Sequence, residues 1–361
     1  MMRATRRALW LCWLVALGCR GLAAADPERV ESLYSRGIYP RIAWALGRVA
    51  GRAPFSVAEA VVLAACLAAC VLMLRFVGRV RRRPDRGAAL LAGLVTLAAL
   101  LGPAYLVFLL VWGLNYQRQP FAASEGLDAS PATSGELQAL CRRLVAEADE
   151  RRSAVGEDRG GVMRLDGGLA SALRRAGAGF DAATRRHPVL AVPGTAAKAV
   201  RLSTALSYLG ISGVFFPFTG EPNVNATVPD PELPFVIAHE TAHQRGFARE
   251  DEANYIASLA CRLHADADFR YSGSLVAAVH ALGALREVAP EAARELGRSR
   301  SEGVRRDLKA LQAWSDRYRT RIRTVSEAVN DGYLRSQGQR DGVRSYGRMV
   351  DLLIAEERAH R

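Results

Sequence analysis

The chain has 361 residues, 50 % of them apolar and 24 % charged, which allows a sizeable core and excludes wholesale disorder. Six cysteines exclude a disulfide scaffold, and 15 prolines exclude a low-complexity chain. Forty-nine Lys and Arg against 36 Asp and Glu leave +13, but the arginines are spread along the chain without the concentrated basic stripe of a nucleic-acid binder, so no nucleic-acid partner is expected.

In chain order, Arg3, Arg6 and Arg7 precede an apolar run at 8–19. That length suits a signal peptide, and Ala23-Ala24-Ala25 offers a small-residue cleavage site. A retained N-terminal anchor is the equal alternative, although it would hold Arg20 close to lipid. Residues 1–25 therefore carry two open readings. Residues 26–116 read as a membrane region with two spans, 57–77 and the uncharged 88–112, each long enough for a hydrocarbon core of about 30 Å. Pro103 is tolerable inside such a helix, and Tyr105, Trp112 and Tyr116 gather toward its far end as an interfacial belt. Arg79, Arg81, Arg82, Arg83 and Arg86 between the spans read as a positive-inside signal. The lipid bilayer is thus an expected partner. This topology places 26–56, and everything after Trp112, outside the cytoplasmic membrane.

Residues 117–134 lack periodicity and read as a linker, with the exported domain at 135–361. Helices are expected over 135–152, 168–176, 195–209, 234–245, 250–263, 275–296, 302–334 and 343–359. A β-branched and aromatic run at 211–218, closed by Thr219-Gly220, reads as a strand with 224–228 as its partner. The expected class is α+β: a mostly helical domain with a small β-sheet, after two or three transmembrane helices. Cys141 and Cys261 are the two cysteines of the exported part, and sequence leaves open whether they pair.

One segment carries chemistry: His239-Glu240-Thr241-Ala242-His243. Histidines four apart project from one helix face, so both imidazoles can reach a single Zn²⁺. Glu240 between them can take a proton from an activated water. A catalytic zinc needs a third protein ligand and an open position. Position 249, where a metzincin-type histidine would fall, is Arg, which excludes that subtype. Glu250 is the favoured third ligand, because Glu250, Ala253 and Asn254 share the register of zincins with a glutamate ligand. Glu252 and His264 compete with it, and Asn254 could orient a liganding histidine. For substrate, 224–226 including Asn225 is the expected sheet edge for main-chain pairing. Tyr333, Arg344 and Tyr346 are the candidates for an oxyanion donor.

Five stretches together carry a family resemblance: Pro54 to Glu59 (PFSVAE), Trp112 to Tyr116 (WGLNY), GVFFPFTGE at 213–221, HETAHQRGFAREDEAN at 239–254, and GVRSYGRMVDLL at 342–353. The chain resembles a bacterial family of membrane proteins, catalogued as a domain of unknown function, with an extracytoplasmic zincin-like HExxH domain. The resemblance covers nearly everything past the signal region. It implies a membrane-anchored, metallopeptidase-like protein and no particular substrate. The expected function is therefore hydrolysis of a peptide or protein substrate by zinc held on His239, His243 and Glu250, with Glu240 as base. A zinc-binding sensor or pseudo-peptidase of the cell envelope is the second reading and a metal-free scaffold the third. Intact Glu240 speaks against the second, since a structural site needs no base.

Overall fold

The structure is a computed structural model that describes residues 3–337, 339 and 348–360. It is 73 % helical with a small three-stranded sheet, so the α+β, mostly helical class holds. The first elements are α1 (Arg3–Ala25), α2 (Tyr39–Ala50), α3 (Val57–Arg81) and α4 (Arg86–Val111). Three helical stretches, Arg7–Ala25, Val57–Arg81 and Arg86–Val111, are long and apolar enough to cross a membrane.

The N-terminal run lies along α4. Trp13 donates to the Ala98 carbonyl at 2.8 Å and stacks on Tyr105 at 5.4 Å. Arg20 donates to the Tyr105 hydroxyl at 3.2 Å and to the Ser336 carbonyl, so its charge has polar partners at the bundle's end. Ser56 caps α3 and Asp85 caps α4, each accepting from the N–H three residues on. The ends of α3 and α4 joined by Arg82 to Asp85 point away from the rest of the chain.

The far ends of the bundle merge into the domain. A π-helical stretch (Val30–Ile38) and α2 pack on Trp112 and Tyr116, and Val30, Tyr34, Tyr39, Trp112, Phe215 and Ala248 share one buried cluster. Residues 117–134, expected as a linker, are partly built into the core. Arg118 is buried between the Glu31 carboxylate, at 2.8 and 2.9 Å, and the Gly246 carbonyl. Phe121 is buried and opens a short helix (Phe121–Ser124). A buried guanidinium requires such a carboxylate, and that pairing lies 87 residues away in sequence.

The domain continues with α5 (Ser134–Arg152), β1 (Lys198–Val200), β2 (Gly213–Phe216), β3 (Glu221–Asn225), α6 (Leu233–Gln244), α7 (Glu250–Arg262), α8 (Ala267–Val288), α9 (Glu302–Arg317), α10 (Arg321–Ser336) and α11 (Met349–Ala359). The sheet order is β1-β3-β2, with β1 parallel and β2 antiparallel to β3. Its main core packs α6, α7 and α8 together, with Ile237, Ala242, Tyr255, Ile256 and Ala277 fully buried.

Four expectations change. The helix expected at 195–209 is instead strand β1 followed by a short helix, Ser203–Tyr208; pairing with β3 overrides the helix propensity of an Ala-rich stretch. The helix expected at 275–296 breaks, because Pro290 lacks the N–H to continue α8 and starts a new helix, Pro290–Ser299. The one expected at 302–334 divides into α9 and α10. The strand pair lies at 213–216 and 221–225, and β3 is the central strand. Cys141 and Cys261 are buried, free thiols.

Candidate metal centre

Helix α6 presents the two histidines, and the chain must then turn sharply to bring Glu250 back to them. Gly246 makes this turn, with φ +86°; its N–H bonds the His243 carbonyl at 3.0 Å and the Phe247 N–H bonds the Ala242 carbonyl at 3.2 Å. That left-handed residue after a helix is the common glycine stop. Helix α7 then starts at Glu250, its first turn rich in carboxylates that suit the helix dipole.

The result is a cluster of three ligand atoms. His239 Nε2 and His243 Nε2 are 3.0 Å apart, and Glu250 Oε2 lies 3.3 and 3.5 Å from them. His243 Nδ1 lies 2.7 Å from the Phe247 carbonyl. A carbonyl only accepts, so Nδ1 carries a proton, and the neutral form of the ring turns its Nε2 lone pair into the cluster. The buried Glu250 Oε2 receives no well-aligned hydrogen bond among the described residues. Two imidazoles and an otherwise unserved carboxylate oxygen, converging within 4.8 Å, form a donor set that fits a divalent ion of the zinc type.

Electrostatics agree with a charge-balanced pocket. Burial alone would lower the His243 imidazolium, but the adjacent Glu250 carboxylate outweighs it and pushes it up to about 9. Burial opposes ionisation of Glu250, yet His243 and His239 hold its carboxyl far below the usual range. Burial pushes the Glu240 carboxyl up, countered by His239 and His243.

The competitors are engaged elsewhere. Glu252 accepts the Phe121 N–H at 2.8 Å and lies 3.6 Å from Arg249. His264 is held by the Arg175 carbonyl and the Asp266 N–H, and stacks on Phe269 at 4.1 Å. The orienting partner of His243 is the Phe247 carbonyl, and Asn254 lines the cleft.

Glu240 is 4 % exposed and backs onto the start of β2. A Cβ at Gly213 would stand 2.6 Å from Glu240 Oε1, so glycine there leaves the carboxylate its place. The cluster opens into a cleft of about 530 Å³, walled by β2, by α10 through Asn330 and Tyr333, and by the end of α4 through Phe108 and Trp112.

The substrate expectations divide. Asn225 is not on an edge: β3 is paired on both sides and fully buried, and the Asn225 amide bonds Ser207 Oγ and the Ile211 carbonyl, both at 2.9 Å. Among the described residues, the free edge that lines the cleft is β2. Tyr333 does reach the cleft, its hydroxyl 3.1 Å from that of Tyr116. Tyr346 and Arg344 lie outside the described residues. Sequence reasoning missed His280, which lines the cleft from α8 and whose imidazolium is pushed down to about 4 by burial and by His239. A lone histidine without motif spacing gives no signal of this.

Fold and site together define a multi-helix membrane protein whose domain carries a His-His-Glu cluster in an open cleft. The model of one family, described as "Protein of unknown function (DUF3810)", matches residues 34–354, and the chain belongs to that family. No curated protein and no solved structure matches it significantly.

Proposed function

We propose that the chain is a membrane-anchored zinc metallopeptidase of zincin type, which hydrolyses peptide bonds on the extracytoplasmic side. The observation that carries this is the convergence of His239, His243 and Glu250 beside buried Glu240 at an open cleft. Orientation follows from charge: Arg79 to Arg86 lie at the ends of α3 and α4 away from the domain, which the positive-inside rule assigns to the cytoplasm.

His239, His243 and Glu250 would hold a zinc ion, which would supply Lewis acidity for the attacking water and the scissile carbonyl. The chain supplies the rest. Glu240 accepts the proton of the attacking water and returns it to the leaving amine. The outer edge of β2 holds an extended peptide through main-chain hydrogen bonds. The Tyr333 hydroxyl, steadied by Tyr116, donates to the developing oxyanion. A structural zinc site would close its fourth position with protein; here the cluster faces a cleft, which favours catalysis over a sensor.

The test is metal analysis and peptide cleavage by the full chain in detergent or nanodiscs. Wild type should hold one zinc and cut unstructured peptides. Structural zinc sites bind with about 10–16 kcal/mol over four ligands, so losing one should weaken binding roughly 10² to 10³-fold. Glu250→Ala should show that loss and Glu252→Ala should not. Zinc must also displace the His243 proton, so apparent affinity should fall about tenfold per unit as pH drops below about 9. Bound zinc with no cleavage would support the sensor reading instead.

A further inference from the structure

The cleft and the end of the last membrane helix share residues. Trp112 stands edge-on to His243 with ring centroids 6.2 Å apart, and its indole N–H donates to the His243 carbonyl at 3.0 Å. Helix α4 has 26 residues, about 39 Å at 1.5 Å per residue, against about 30 Å of hydrocarbon. With Arg86 in one headgroup layer, the hydrocarbon ends near Tyr105, and Phe108 to Trp112 stand in the other layer. The ligand cluster therefore sits at the bilayer surface.

The free edge of the sheet leads to the same place. Strand β2 starts at Gly213, against Glu240, and ends at Phe216; two residues on, Phe218 packs against Phe108 with centroids 6.5 Å apart. Phe218 is 42 % and Val214 39 % exposed. Across the cleft, α10 leaves Ile322, Val325 and Val329 exposed on one helical stripe, and its last turn carries the Ser336 carbonyl bound by Arg20 of α1. Phe108 and Phe218 thus line the cleft where it meets the end of the span, an arrangement suited to the headgroup layer.

We propose that the substrate is the juxtamembrane stretch of another membrane-inserted chain. It leaves the bilayer beside Phe218, lies extended along β2, and presents to Glu240 a bond a few residues beyond its own apolar segment. The distance from Phe218 to Gly213 is five strand positions or fewer, roughly 10–17 Å, which places the cut about three to six residues from the apolar segment. Water adds its oxygen to the carbonyl carbon, the C–N bond breaks, and the water proton passes through Glu240 to the leaving amine. This inference rests on the peptidase reading, and its test separates the two.

The full chain is reconstituted in vesicles with model single-span helices carrying a randomised stretch of about eight residues. That stretch sits directly at the apolar segment, or beyond a Gly/Ser spacer of about 15 residues reaching roughly 20 Å, or is supplied as free peptide. Mass spectrometry should find cuts clustered three to six residues from the apolar segment, at least about tenfold faster than in the spaced or free forms. In Glu240→Gln, a photoreactive residue about four positions beyond the segment should crosslink within 213–218, and one beyond the spacer should not. Equal cutting of all three forms, or no crosslink, overturns the inference and leaves the peptidase reading standing. Crosslinking without any cleavage by the zinc-loaded wild type overturns the peptidase reading and the proposed cut with it.

Discussion

Replacing Glu240 by Gln is expected to lower peptide cleavage by about 10² to 10⁴-fold while zinc stays bound, the range that positioned general bases contribute. The amide has nearly the same shape, so it fits the slot beside Gly213, but it cannot take the proton of water. Glu240 is not one of the three converging ligand residues, which is why metal content should hold. A companion change tests position rather than chemistry. Gly213→Ala would put a Cβ 2.6 Å from Oε1 and force the carboxylate aside. A displacement near 1 Å typically costs about a hundredfold, so this variant should lose rate with Glu240 intact. Rates, zinc content and melting temperature measured on the same preparations decide the matter. A Glu240→Gln chain that cuts at the wild-type rate would remove Glu240 from the mechanism.

What the sequence revealed follows from which contacts are local. The histidine helix was expected at 234–245 and runs from 233 to 244, because its Pro, its apolar wall and its glycine stop are all neighbours. The expected spans at 57–77 and 88–112 lie within α3 and α4 apart from Trp112, which caps α4. The third ligand is where local reasoning weakens. Glu250 and Glu252 share one helical turn, and what takes Glu252 away is a backbone N–H 131 residues distant. The edge strand was misplaced for a similar reason. Asn225 looks like a poor central-strand residue until Lys198 to Val200 arrives in parallel on its other side, and that stretch reads as helix. The motifs flanking the histidines were legible as words without meaning. Trp112 proves to carry the His243 carbonyl, and Val57 and Ala58 of PFSVAE prove to bind Glu221 of GVFFPFTGE.

That last junction yields the largest expected loss of stability. Glu221 is fully buried, and its carboxylate accepts the N–H groups of Val57 at 3.2 Å and Ala58 at 2.7 Å, two of the donors that every helix start leaves unserved. It also takes Lys198 Nζ at 2.6 Å, an ammonium that further donates to the Ala50 and Phe55 carbonyls. Glu221→Ala removes the one negative charge among these donors and strands a mostly buried ammonium. Breaking a buried pair from one side costs about 3–5 kcal/mol. For a chain of 361 residues, at about 2.1 cal/mol/K of unfolding entropy per residue, that is roughly a 4–7 °C fall in melting temperature. Glu221→Gln should fall less, keeping the volume but turning an amide toward donors. Adding Lys198→Met to Glu221→Ala should recover part of the loss, since the uncompensated charge is gone. A Glu221→Ala chain that melts with the wild type would show that this carboxylate does not fasten α3 to the sheet. If it does fasten them, the effect reaches the site. Glu221 opens β3 opposite Phe216, and β3 sets the register of β2 and so the place of Gly213 behind Glu240. Cleavage by the single variant should therefore fall even below its melting temperature, through a base moved from its place.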